Sequence, residues 1–304
     1  MPWPVRRPPG RRSTERPSKP LSACLLRYAC QLDGEKPLRV TLAIGDCRLA
    51  IGHCRLEIVD WGWRLGLAID QVRQRLAAAR TITVLTGAGV SAGSGVPTFR
   101  GAGGLWRNRQ APQLATPEAF AQDPRLVWEW YAWRREVISG CAPNPAHHVI
   151  SRWSQRPGFT LVTQNVDGLH ERAGTRNVVR YHGSIWTMKC SGRCGANDWD
   201  DLSVPLDPLP PRCPKCGALA RPAVVWFGEP IPPAALRAAQ AATACDVFLS
   251  VGTSSVVYPA AGLVAAAKAC GALTVEINPE ATGPDVDVAI ALPAEVALTL
   301  VSSA

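Results

Sequence analysis

No apolar run in this chain of 304 residues reaches the length that spans a bilayer. The longest, residues 260–275, is interrupted by Lys268 and reads as a buried helix. A soluble protein with no membrane partner is therefore expected. Methionine is nearly absent, at 2 residues, and only 5 histidines are present, so each imidazole can be weighed singly as a candidate base. No apolar signal core follows Met1, and the cysteine count of 11 is odd and spread over a long chain. Those features argue against a disulfide-stapled secreted domain, and a cytoplasmic, reducing location is expected. Acidic residues are in deficit, 24 against 33 basic, for a net charge of +9. More than half of that excess sits in residues 1–20, where Arg6, Arg7, Arg11, Arg12, Arg16 and Lys19 face Glu15 alone. Interleaved prolines make this segment read as a disordered end, with weak nucleic-acid contacts as the alternative.

Residues 1–62 are expected to form a disordered or weakly structured extension. Within it Cys47-Arg48-Leu49 is echoed by Cys54-Arg55-Leu56, which suits a small hairpin or an extension without a packing role. From about Leu65 the pattern becomes regular, with a helix expected over Ile69–Ala79. Strands are expected at Ile82–Thr86, Phe159–Thr163, Val178–Tyr181, Ala223–Phe227, Val247–Val251, Leu273–Ile277 and Val288–Leu292. Helical stretches lie between several of them, as at Pro233–Thr243 and Pro259–Cys270. The alternation predicts an α/β fold with a mostly parallel, Rossmann-like sheet. Candidate active groups follow the strands directly, where ligands bind in open α/β sheets.

The first of these groups is GAGVSAGSGVPTFR, Gly87–Arg100, a glycine turn after an apolar strand. Glycine lacks Cβ and lets a pyrophosphate approach main-chain N–H groups. The spacing of Gly87, Gly89 and Gly93 is not that of the usual dinucleotide fingerprint, and the acidic residue expected about 20 positions later is missing. Ordinary hydride transfer is thereby disfavoured. In TQNVDGLH, Thr163–His170, Asn165 and Asp167 can point into one pocket, or can simply serve a polar turn. In YHGS, His182 follows a strand and is the candidate general base. Cys190 and Cys194, with Cys213 and Cys216, form two close pairs of the kind that holds one structural zinc ion in a closed four-thiolate shell.

Together, from about Leu65 to Ser302, these motifs resemble the sirtuins, the NAD-dependent protein lysine deacylases. The resemblance implies a Rossmann-like sheet with a smaller zinc-ribbon plus helical domain, so that residues 63–304 form the catalytic domain and about 186–222 the inserted zinc module. NAD is implied as a consumed co-substrate, and acylated-lysine proteins or peptides as partners. The implied cofactor-binding residues are Gly87, Ala88, Gly89, Ala92, Thr98, Phe99, Arg100, Trp106, Gln164, Asn165, Val166, Asp167, Gly252, Thr253, Ser254, Asn278, Pro279, Glu280 and Ala294. His182 is the implied proton acceptor, with Asn165 beside it as the second catalytic residue. Val225, Trp226, Phe227 and Gly228 are implied to pair with the substrate backbone as an added strand. One departure is Gly93, where relatives usually carry glutamate.

PRLVWEWYAWRREVIS, Pro124–Ser139, reads as a helix that sets Tyr131 and Arg134 on one face. Alone, the pair suits a core tyrosine beside a surface arginine. Within the resemblance it is similar to the class III subgroup that removes succinyl and malonyl groups, the guanidinium and phenol binding a terminal carboxylate. The small Ala111 leaves room for the longer acyl chain, and deacetylation is expected as a second activity. Protein ADP-ribosyl transfer from the same pocket and a non-enzymatic zinc-ribbon nucleic-acid binder are the alternatives.

Overall fold

The computed structural model describes residues 28–29, 41–42, 54–97, 105–106, 109–192, 194–254, 257–280 and 285–302. The chain divides into two compact units, Met1–Val59 and Asp60–Ala304. In the first, β1 (Tyr28–Ala29) and β2 (Thr41–Leu42) pair antiparallel. Helix α1 spans Cys54–Ala78, starting well before the expected Ile69. Gly62 and Gly66 hide the longer helix from a sequence reading, because each disfavours helix by about 1 kcal/mol relative to alanine. Its buried stripe of Ile69, Val72 and Leu76 is spaced as one helical face. Cys54–Leu56, the second copy of the Cys-Arg-Leu echo, is therefore helical, while the first copy lies outside the described residues.

The remaining elements follow in order. They are β3 (Ile82–Thr86), α2 (Ala88–Ala92), β4 (Leu105–Trp106), β5 (Arg109–Gln110), α3 (Ala111–Leu114), α4 (Pro117–Gln122), α5 (Pro124–Ser139) and α6 (Pro145–Trp153). Next come β6 (Phe159–Thr163), α7 (Leu169–Arg172), β7 (Val178–Arg180), β8 (Gly183–Cys190), β9 (Trp199–Asp200) and β10 (Ala220–Val224). The chain closes with α8 (Pro233–Ala241), β11 (Val247–Val251), α9 (Gly262–Ala269), β12 (Leu273–Ile277), β13 (Val288–Ile290) and α10 (Ala294–Ser302).

Six strands form one parallel sheet in the order β13-β12-β11-β3-β6-β7. The winding reverses between β3 and β11, which is the switch point where such sheets open a crevice at their carboxyl ends. Every residue of β3, β11 and β12 is buried. That follows from helices on both faces: α1, α6 and α10 pack against residues such as Val84 and Leu249, and α8 and α9 against Leu85 and Phe248. Burying a side chain the size of Phe248 contributes about 2–3 kcal/mol. A third core joins α3, α4 and α5 to the small sheet through Trp128, Tyr131, Ile185 and Trp226. Asp123 fixes the start of α5 by accepting from the Leu126 N–H at 2.9 Å, with Pro124 in the first turn.

Two expectations are corrected. The run at Ala223–Phe227 is not a strand of the parallel sheet: the strand is Ala220–Val224, and it pairs antiparallel with β8 in a separate three-stranded sheet. The apolar run 260–275 is not one helix. It ends at Ala269, turns at Gly271 with φ 87°, and re-enters the sheet at Leu273.

Candidate active site and thiolate cluster

The register of the sheet sets four strand ends level, since Thr86 lies opposite both Thr163 and Val251, and Val251 opposite Ile277. The segments leaving these ends begin at Gly87, Gln164, Gly252 and Asn278. The Gly87 N–H donates to the Val251 carbonyl at 3.1 Å and the Gly89 N–H to the Gly252 carbonyl at 2.8 Å. These two bonds tie the glycine loop to the end of β11 and to the residue that follows it. Glycine is needed because a Cβ on Gly89 would lie 2.8 Å from Gly252 Cα. Across the crevice, Gln164 Nε2 donates to Thr253 Oγ1 at 3.1 Å. Asn278 Nδ2 donates to the Glu280 carbonyl at 2.8 Å, Pro279 and Glu280 are exposed, and Ser254 is half-buried. Ala294 is buried in the core at the first residue of α10. A Cβ on Gly93 would lie 3.0 Å from Glu295 Oε1, so the Glu295 side chain would have to give by a few tenths of an ångström. Thr98, Phe99 and Arg100 lie outside the described residues, as does the side chain of Trp106.

His182 is half-buried next to this crevice, and its Nδ1 lies 3.1 Å from the Gln164 carbonyl oxygen. A carbonyl only accepts, so Nδ1 is assigned the proton and Nε2 is left as the basic nitrogen. Burial lowers the pKa of His182, against a smaller raising effect of that hydrogen bond, so the ring is neutral at pH 7.

Behind Asn165 lies a buried polar network. Asn165 Nδ2 donates to the Gly87 carbonyl at 3.0 Å and to Ser91 Oγ at 3.2 Å. Ser91 donates to Asp167 Oδ2 at 2.8 Å, and Asp167 Oδ1 accepts from the Leu169 N–H at 2.8 Å. Burial raises the Asp167 pKa, opposed by these two bonds. His147 Nε2 lies 3.4 Å from Ser91 Oγ, while its Nδ1 accepts from the Asn144 N–H at 3.2 Å. His170 Nε2 lies 3.1 Å from Thr86 Oγ1, and the rings of His147 and His170 are 4.8 Å apart. Sequence reasoning passed over His147 and His170. The signal for His147 was the reciprocal cap at the start of α6, where Asn144 and His147 bond each other's backbone N–H.

This pair makes stability depend on pH. Burial pushes both imidazoles down to about 3, against an ordinary value near 6.5. Because the unfolded chain binds more protons below pH 6.5, stability is complete above that value and falls as pH drops toward 3. The upper bound is roughly 4–5 kcal/mol per histidine. We expect His147→Gln to flatten the urea midpoint against pH between 6.5 and 4; an unchanged slope would contradict the assignment.

Arg134 lines a cavity with Ala88, Ser91, Val96, Asn165, Val166 and Asp167. Its side chain is buried and its guanidinium lies 5.4 Å from the Trp130 ring. Tyr131, one helical turn earlier on α5, is buried with Trp226 and Ala111 in the same core. The arginine is therefore not on the surface. In VWFGE the N–H groups of Val225, Trp226 and Phe227 are bonded within the chain, to the His182 carbonyl, Glu229 Oε2 and the Ala115 carbonyl at 2.9 Å each. Backbone pairing with a peptide is thereby left to carbonyl groups and to Gly228.

Cys190, Cys194, Cys213 and Cys216 bring their sulfurs within 4.8 Å of one another. Separations of 3.5, 3.5 and 3.7 Å are too long for disulfides. They match the edges of a tetrahedron about 3.8 Å on a side, which four zinc–sulfur bonds of about 2.3 Å produce. All four cysteines are free thiols, so the set fits Zn²⁺ in a closed, structural site.

Sheet order, switch-point crevice and thiolate module define a Rossmann-type α/β protein with a metal-holding insertion. Residues 87–259 match the Sir2 family. The NAD-dependent protein deacylase of Aquifex aeolicus (strain VF5) is 52% identical over 203 residues, 66% of this chain and 84% of that protein. NAD-dependent protein deacylase 2 of Pyrobaculum aerophilum is 54% identical over 223 residues, 72% of this chain and 88% of that protein. A crystal structure of a Sir2 homologue–NAD complex superposes with a TM-score of 0.71 at 44% identity, covering 76% of this chain and 92% of that one. A mutant Sir2 homologue bound to 2′-O-acetyl ADP ribose also superposes at 0.71, with 45% identity, covering 76% and 94%. The chain belongs to the Sir2 family.

Proposed function

We propose that this protein removes succinyl and malonyl groups from protein lysines, with acetyl removal as a second activity. At the family level it is an NAD-dependent protein-lysine deacylase of the transferase type, acting on acylated-lysine substrates. NAD is consumed as co-substrate, and acyl-lysine, NAD and water yield lysine, nicotinamide and O-acyl-ADP-ribose. What NAD supplies when bound is an electrophilic ribose carbon that the acyl oxygen can attack as nicotinamide leaves.

The residues of this chain have separate tasks in that reading. Gly87, Gly89 and Gly252 let the two loops at the switch point close on each other, and Gln164 spans the crevice to Thr253. Asn165, held by the Gly87 carbonyl and Ser91, presents its amide beside them. His182 Nε2 takes up a proton from a ribose hydroxyl, its ring aimed by the Gln164 carbonyl. Zinc organises the small sheet and has no part in bond making. The cytoplasm is the proposed location, supported by the free thiols among the described residues. Among those residues no helix is long and apolar enough to cross a membrane.

The acyl preference is carried by one observation: Arg134 lines the same cavity as Asn165 and Asp167, one turn from Tyr131. Burial lowers the pKa of this guanidinium, and Asp167 acts on it in the opposite sense. A carboxylate at the tip of the acyl chain would gain a charge-assisted bond from Arg134, whereas an acetyl methyl would not. Peptides carrying acetyl-, malonyl- or succinyl-lysine, incubated with and without NAD and read by mass spectrometry, test this. Tyr131→Phe with Arg134→Met is expected to lower the succinyl-to-acetyl ratio of kcat/KM by about 100-fold or more. An equal loss on both substrates would refute the carboxylate clamp. A mass gain of one ADP-ribose on the peptide would instead indicate transfer to protein.

A further inference from the structure

Trp226 lies just past β10 and is held at both its backbone and its ring. Its main-chain N–H donates to Glu229 Oε2 at 2.9 Å, and its carbonyl accepts the Glu229 N–H at 3.0 Å. The same carboxylate takes both arms of Arg221, at 2.6 and 2.8 Å. The Arg221 guanidinium lies 3.3 Å from the centre of the Trp226 ring, and the Phe120 ring is centred 5.2 Å from it. The indole is thus clamped between a cation and an aromatic ring and is 2% exposed. Its Nε1–H reaches out of this clamp to Tyr131 Oη at 2.9 Å.

That bond has a direction. An indole N–H only donates, so the Tyr131 oxygen accepts and its own hydrogen must point elsewhere. A phenol hydrogen prefers the plane of its ring, which leaves two orientations, and Trp226 blocks the one facing it. The ring itself is immobilised edge-on against Trp130, with centroids 4.6 Å apart, and against Trp128 at 6.2 Å. Burial raises the Tyr131 pKa, so the hydroxyl keeps its hydrogen throughout the working range. Accepting a bond also polarises the O–H and strengthens its donation to a charged acceptor.

We infer that Trp226 is a positioning residue for acyl specificity: its indole N–H fixes Tyr131 as a donor toward the acyl tip. This rests on the desuccinylase reading. The ligand class it favours is an acyl group ending in a carboxylate, and Arg221 and Glu229 serve it by holding the indole. Without the N–H, the phenol hydrogen can turn away and leave a lone pair facing the carboxylate.

The test is a double-mutant cycle of Trp226→Phe and Tyr131→Phe in the full chain with its zinc. Phenylalanine keeps an aromatic ring in the clamp and removes the N–H. Trp226→Phe alone is expected to lower the succinyl-to-acetyl ratio of kcat/KM about tenfold, chiefly through the succinyl KM. In the Tyr131→Phe background it should leave that ratio within about twofold, because the acceptor is gone. Trp226→His, which retains a ring N–H, should recover part of the ratio. A fall of the same size in both backgrounds, or no fall in the ratio, overturns the inference. In the unsubstituted chain labelled at indole nitrogen, the Trp226 N–H resonance should shift further with succinyl-lysine than with acetyl-lysine peptide; equal shifts overturn it without any variant having to fold. If Arg134→Met leaves the ratio unchanged, the desuccinylase reading itself fails. If Arg134→Met collapses the ratio and Trp226→Phe does not, only the role of Trp226 fails.

Discussion

Substituting His182 by alanine is expected to lower kcat by about 10²–10⁴-fold, the range over which a positioned general base accelerates a step. The peptide KM should change far less, because the VWFGE turn and the α5 residues are untouched. The expected size follows from what holds the ring. The Gln164 carbonyl at 3.1 Å fixes the tautomer with Nε2 unprotonated. Burial keeps the imidazole pKa below its ordinary value of about 6.5. A base must be neutral to act, so the acid limb of kcat/KM should fall below pH 6.5 and vanish in the alanine variant. Peptide turnover by His182→Ala within a few-fold of the unsubstituted chain would remove His182 from the chemistry. An acid limb that persists in the variant would assign it to another group.

Loss of the metal should have the second large effect. Structural zinc bound to four thiolates contributes about 10–16 kcal/mol to the fold of the segment that holds it. Here that segment joins β8, β10 and the loop between them, closed by bonds such as the Cys213 N–H to the Ala218 carbonyl at 2.8 Å. Cys213 is itself 3% exposed. Chelation, or Cys213→Ser, is expected to release one zinc per chain, lower Tm by more than about 10 °C, and open the segment 190–216 to limited proteolysis. The parallel sheet has separate apolar cores and should be cleaved later. Activity should fall as well, because β10 leads directly into the turn that carries Trp226. An unchanged Tm and digestion pattern after complete zinc removal would show that the cluster carries no structural load.

The parallel strands were legible because ITVLT, FTLVT, VFLSV and LTVEI are short apolar runs covered on both faces, and each matches its expected bounds. β8 was not, since only Ser184, Ile185 and Met188 of Gly183–Cys190 are buried, without a strict alternation, and the run carries Lys189. The four cysteines could be read because each pair is local in the chain, and only the approach of the two pairs required folding. His147 and His170 could not be read as partners: their rings meet only when α6 and α7 pack together. The glycine turn after β3 was legible, but not that its N–H groups at Gly87 and Gly89 bond the carbonyls of Val251 and Gly252. No sequence spacing could reveal this, because the partner carbonyls lie about 160 residues later in the chain and meet the loop only when β11 pairs with β3.

By itself the amino-acid sequence determined the α/β class, the two cysteine pairs that come together, the bounds of the parallel strands, and the helix that carries Tyr131 and Arg134. Local spacing and hydrophobic period suffice for these. Tertiary structure alone decided which N–H groups are occupied, which imidazoles are buried, and that Trp226 meets Tyr131 from 95 residues away. The physical reason is that a hydrogen bond's direction depends on where both partners lie in space.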